Sequence, residues 1–91
     1  MIIAFDADMT LIDENDKPRE AVVELLKALS PCNEIIVWSS SSQHAEEIAR
    51  KVGVFELISV AASKTNVFLK GQVDICFDDQ EVKLAKFNIK I

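Results

Sequence analysis

Glycine and proline are scarce in this 91-residue chain, with two of each, which excludes collagen-like, low-complexity and proline-rich architectures. No apolar run approaches the ~18–20 residues needed to cross a bilayer, so no membrane span is expected. The N-terminus lacks a basic region followed by an apolar stretch and a cleavage site, so no signal peptide is read there. There is one histidine, which disfavours a histidine-based hydrolase or a histidine-ligated zinc site. Two cysteines, Cys32 and Cys76, are present without a CxxC spacing; Cys76 sits inside an apolar run, and two free thiols in a reducing cytoplasm are the expectation. Neither a P-loop nor GxGxxG occurs, which excludes a nucleotide-binding module of the glycine-rich type. No repeat, low-complexity tract or interdomain linker interrupts the chain.

What is present is an ordinary globular composition, 49% hydrophobic and 27% charged, enough for one core and therefore for one domain over 1–91. The net charge of −5 opposes non-specific binding of nucleic acid through its phosphates. It does not oppose a phosphorylated substrate, because a bound metal can dominate the local field.

Apolar runs and helical periodicity alternate. Residues 1–5 read as a strand buried on both faces, followed by a polar cluster from Asp6 to Asp16. Pro18 suits the first turn of a helix that carries Val22, Leu25, Leu26 and Leu29 and stops at Pro31. Residues 35–38 form a second strand closed by four serines. A second helix is expected over about 43–52, with Gly53 at its C-terminal cap. Strands are expected at 57–61, 73–77 and 88–91, a short helix or irregular turn at 63–70, and one or two helical turns at 81–86. Strands separated by crossovers imply an α/β fold, a three-layer sandwich with a mainly parallel central sheet. In such sheets ligands bind beyond the carboxyl ends of the strands.

The residues after the first, second and fourth apolar runs are all polar. Asp6 and Asp8, two apart on an extended chain, point to one side. Two carboxylates so close call for a cation between them or a retained proton; the alternative is a solvated acidic loop. Asp78 and Asp79 end the fourth run, and Mg²⁺ takes one or two carboxylates plus a substrate phosphate. Asp78 is the first choice as ligand, while Asp79 either ligates through water or caps the next helix. Ser39 can donate to a phosphoryl oxygen and Ser40 can offer its backbone N–H; the alternative is that these serines only cap the second helix. Lys64 and Lys70 are candidates for a fixed cation that neutralises developing charge, with Lys64 ranked first because it lies nearer the third strand. His44 is assigned to the exposed face of the second helix, with no catalytic role.

The order DxDxT (Asp6-Ala7-Asp8-Met9-Thr10), serine, lysine, acidic pair resembles the four motifs of the haloacid dehalogenase superfamily over residues 2–79. The resemblance implies a Rossmann-like fold and a Mg²⁺-dependent phosphatase. Asp6 would be the nucleophile and Asp8 the acid/base, with its backbone carbonyl on the metal. Thr10 would fix the loop, Ser39 and Lys64 would hold phosphoryl oxygens, and Asp6, Asp8 and Asp78 would form the metal site. Covalent catalysis splits one hard displacement into two, and one acid/base residue can serve both halves. Three departures stand out. Met9 occupies a position where family members often carry glycine or a small polar residue. The lysine motif is split between Lys64 and Lys70. There is no room for a cap domain, so the site is expected to be open, as in members whose phosphorylated substrate is macromolecular or whose partner supplies the lid.

Two rival readings follow from the same residues. A response-regulator receiver would need an aspartate after the third strand, where Ala61-Ala62-Ser63 stands instead. A non-catalytic binding or regulatory domain completed by a partner, or by a second copy in a homodimer, fits the short chain; retention of both Asp6 and Asp8 speaks against it.

Overall fold

The computed structural model describes residues 1–69 and 71–91; Lys70, the second lysine candidate, lies outside the described residues. Five strands form one all-parallel sheet: β1 (Ile2–Asp6), β2 (Glu34–Ser39), β3 (Val60–Ser63), β4 (Ile75–Asp78) and β5 (Phe87–Lys90). Their spatial order is β3-β2-β1-β4-β5, so the chain winds outward from β1 in one direction, returns, and winds outward in the other. The first strand is thus central, flanked by β2 and β4. Its uninterrupted apolar sequence follows from this position, since Ile3, Ala4 and Phe5 are buried on both faces of the sheet.

Two helices, α1 (Glu20–Leu29) and α2 (Ser42–Lys51), cover one face. Val22, Val23 and Leu26 of α1 and Ala45, Ile48 and Ala49 of α2 pack on Ile3, Phe5, Ile35, Val37 and Phe77. These are the alternate residues of β1, β2 and β4, as the two-residue period of a strand requires. Phe5 and Phe77, directly opposite in the β1–β4 ladder, stack with ring centroids 4.9 Å apart. The other alternate set, Ala4, Ile36, Trp38, Ala62 and Cys76, faces a third layer that contains no helix among the described residues. Val73, Leu69, Val82, Leu84 and Ala85 from the connections before and after β4 cover it.

The architecture is the expected α/β sandwich, with differences in detail. Helix α1 begins at Glu20, two residues beyond Pro18, which pairs instead with Ile12 in an isolated bridge. The third strand lies at Val60–Ser63 rather than 57–61, because Phe55–Leu57 closes a 3₁₀ turn against α2, with the Arg50 guanidinium 3.7 Å over the Phe55 ring. The fourth strand starts two residues later than expected. Asp74, just before it, turns its carboxylate to accept the Ile2 N–H at 2.8 Å. The segment 81–86 is not helical: the connection 79–86 is too short for a helix and two turns, and the N–H groups of Leu84 and Ala85 donate to the Asn88 side chain. Residues 64–69 after β3 form a run of turns, the irregular alternative. Gly53 takes φ +79 just past α2, the left-handed C-terminal cap. Among the described residues no helix is long and apolar enough to cross a membrane, and no cap domain is inserted in the sheet.

Candidate active site

The carboxyl ends of β1 and β4 are neighbours, since Phe5 pairs with Phe77; the next residue of each strand is an aspartate. Asp6 is 6% exposed and Asp78 is 1% exposed. Two buried carboxylates side by side would repel at great cost in an apolar environment. Lys64 resolves this. Its backbone N–H is fixed by the Ser39 carbonyl at 2.8 Å, immediately after β3, and its side chain reaches over the end of β2. The ammonium lies 2.7 Å from Asp6 Oδ1 and 2.9 Å from Asp78 Oδ2. The second oxygen of Asp6 accepts from the buried Thr10 hydroxyl at 3.2 Å, and Asp78 Oδ1 accepts from the Gln80 N–H at 3.0 Å.

Asp79 completes the group. One oxygen each from Asp6, Asp78 and Asp79 lie within 4.8 Å of one another. The Gln80 side-chain amide donates to Asp79 Oδ2 at 3.4 Å. No helix follows Asp79 among the described residues, so the capping alternative has no helix to act on. Three carboxylates face one ammonium here, and the excess negative charge together with an all-oxygen donor set suits a divalent hard cation.

The electrostatics follow from this packing. Burial is the main cause that pushes the Asp6 carboxyl up to about 6, against the pull of Lys64, with the Asp78 charge adding to the rise. Asp79 moves the opposite way: burial would raise it, but hydrogen bonds with Asp6 and Asp78 outweigh that and lower it. Burial would lower the Lys64 ammonium, yet its bonds to Asp6 and Asp78 prevail and hold its pKa above the ordinary value. Cys76, behind the site, is pushed up to about 12 chiefly by burial, so its thiol is inert as a nucleophile; both cysteines are free.

Asp8 and Ser39 form a second, adjoining group. The Asp8 carboxylate points to the first turn of α2, where His44 Nε2 lies 2.9 Å from each of its oxygens; the buried Ser39 hydroxyl donates to Oδ2 at 3.4 Å. The hydrogen bond to Asp8 is the main cause that raises the His44 pKa. The Asp8 carboxylate is therefore outside the trio that can hold a cation. His44, expected on the exposed face of α2 with no catalytic role, meets Asp8 because the start of α2 lies over the loop after β1. The signal available was its position five residues beyond Ser39 at the end of the neighbouring strand. Ser41, not Ser39 or Ser40, caps α2 by accepting the His44 N–H at 3.1 Å, which leaves Ser39 free for the site, while Ser40 is exposed and its carbonyl accepts from Ser63.

The loop that carries Asp8 is tightly held. Met9 adopts φ 64, a left-handed conformation uncommon outside glycine, and its carbonyl accepts from the Arg19 guanidinium at 2.7 Å. A residue without a β-carbon would meet this backbone without strain.

Compared with protein-family models, with curated proteins and with solved structures, the chain matches none.

Proposed function

We propose that this protein is a Mg²⁺-dependent phosphomonoester hydrolase of the haloacid dehalogenase type, acting through an aspartyl phosphate on Asp6. The observation that carries the reading is the meeting of Asp6, Asp78 and Asp79 with the Lys64 ammonium at the ends of two adjacent parallel strands. That combination provides a nucleophile, a cation site and a fixed positive charge at one point, which phosphoryl transfer requires.

Mg²⁺ would be held by Asp6, Asp78 and Asp79, with the Asp8 carbonyl a further ligand by resemblance, and would supply charge neutralisation on the phosphoryl oxygens. Asp6 attacks phosphorus through the carboxylate oxygen not engaged by Lys64, and the bond to the leaving oxygen breaks. Thr10 orients that carboxylate. Lys64 offers its ammonium to the equatorial oxygens, and Ser39 donates a further hydrogen bond to them. Asp8 gives its proton to the leaving oxygen, then takes one from the water that attacks the acyl phosphate. Inorganic phosphate leaves and Asp6 is regenerated. To do this Asp8 must swing from His44 toward the leaving group. Nothing in the chemistry needs a disulfide or a membrane, and a reducing cytoplasm suits it.

A second reading has one observation in its favour. Strand β5 is exposed along its length, with Phe87 67% and Ile89 42% accessible, a surface that a partner chain or a second copy could cover in a non-catalytic domain. Hydrolysis of an aryl phosphate, with Mg²⁺ and with excess chelator, for wild type and Asp6→Asn in parallel, separates the two. The phosphatase reading expects metal-dependent release by wild type alone. Release unaffected by Asp6→Asn removes Asp6 as nucleophile, and no release with any phosphomonoester favours the binding domain.

A further inference from the structure

Behind Lys64, on the helix-free face of the sheet, lies a cavity of about 320 Å³. Trp38, Leu69 and Leu84 give it apolar walls, while Thr65 and Asn66 bring a hydroxyl and an amide. Lys64 itself forms part of the lining, so this cavity shares a wall with the carboxylate group. The fold accounts for it. The third layer is made of turns rather than helices, and turns before and after β4 cannot fill the space over Trp38 as a helix face would. A second cavity, of about 600 Å³ beside Gln80 and Asn88, has no wall in common with Asp6, Lys64 or Asp78.

We propose that the cavity beside Lys64 is the leaving-group subsite, and that the substrate is a small phosphomonoester whose organic part is a ring-sized, largely apolar group with a polar edge. This deepens the phosphatase reading and rests on it. The volume is at the lower end of small-molecule sites, about 300–1,000 Å³. It accommodates one ring system, so the group next to the phosphate is ring-sized. Trp38 and the leucines supply the apolar contact, and Asn66 and Thr65 supply hydrogen bonds that fix orientation. Lys64 joins the two parts: its ammonium meets the phosphoryl group while its side chain walls the subsite. A capless fold thereby acquires selectivity from its own third layer.

Trp38 is the only tryptophan, so its emission reports occupancy directly and independently of turnover. The test is a titration of the Mg²⁺-loaded protein with benzylphosphonate and with methylphosphonate, which share the anionic group and differ in the ring. Benzylphosphonate should bind at least ten times more tightly and alone should change the Trp38 emission. Leu84→Phe, which fills the cavity, should reduce the affinity ratio to below three. Val67→Ser, a change at a 73% exposed lining residue that leaves the core intact, should lower the ratio about threefold. Equal affinities in wild type, or a ratio unchanged in both variants, would overturn the subsite. Aryl phosphate hydrolysis measured on the same preparations keeps the two ideas apart. Turnover with equal phosphonate affinities sinks the subsite and leaves the phosphatase. The expected ratio without turnover of any phosphomonoester sinks the phosphatase and leaves a ligand cavity.

Discussion

Replacing Lys64 by methionine tests the electrostatic frame of the site without any assumption about substrate. The methylene stem is largely kept and the ammonium is lost, so Asp6 and Asp78 face each other with no cation between them. Breaking a buried ion pair on one side costs about 3–5 kcal/mol, because the remaining charge stays buried. The Lys64 side chain is 28% exposed, which lets water screen part of the loss and places the expected cost at about 2–4 kcal/mol. For a chain of this size each kcal/mol shifts Tm by about 4–8 °C, so the variant should melt roughly 10–30 °C below wild type at pH 7 in chelator. The double variant Asp6→Asn, Lys64→Met should recover ~1–2 kcal/mol of that loss, since the remaining carboxylate then faces a neutral amide. Thermal melts followed by circular dichroism on the four proteins of the cycle give the coupling. A Lys64→Met melt within a few degrees of wild type, or strictly additive single effects, would refute the bridging role of the ammonium.

Two further outcomes are expected. Asp6 has its pKa raised from 3.8 to about 6, so the native state binds its proton more tightly than the unfolded chain does. Stability from this group is therefore greatest below about pH 4, falls as pH rises through the window to about 6, and is level above it; relative to Asp6→Asn, metal-free wild type should lose on the order of 3 kcal/mol across that window in urea titrations. At Met9, whose φ is 64, glycine should leave stability within about 0.5 kcal/mol of wild type, as relief of strain offsets the added freedom of the unfolded chain, whereas Met9→Val should cost more than about 1 kcal/mol; chemical denaturation of the three proteins measures both.

The alternation of strands and helices was legible because β1 and β2 are central and buried on both faces, so Ile3-Ala4-Phe5 and Ile35-Ile36-Val37 are unbroken apolar runs. Where the sheet reaches its edges the pattern weakens. Val60 is 40% exposed and all of β5 is exposed, so composition carried little information about where β3 begins. Leu57 reads as the start of a strand, yet it closes a 3₁₀ turn with Phe55, held by a cation over the Phe55 ring that no local pattern announces. The helix expected at 81–86 failed on the length of its connection, a tertiary constraint. In the site, the meeting of Asp6, Asp78 and Lys64 was foreshadowed by their places at strand ends. The pairing of Asp8 with His44 was not, since it depends on where α2 begins above the loop of Met9.

Asp6 is proposed to carry the phosphoryl group during turnover. The most direct measurement quenches the Mg²⁺-loaded protein in acid during turnover of an aryl phosphate, reduces it with borohydride, and maps the product by peptide mass spectrometry. An acyl phosphate at Asp6 reduces to homoserine, so homoserine at position 6 in wild type, and its absence in Asp6→Asn, is the expected result. Metal-dependent turnover with an unmodified Asp6, or with the reduced residue at Asp8, Asp78 or Asp79 instead, would contradict it.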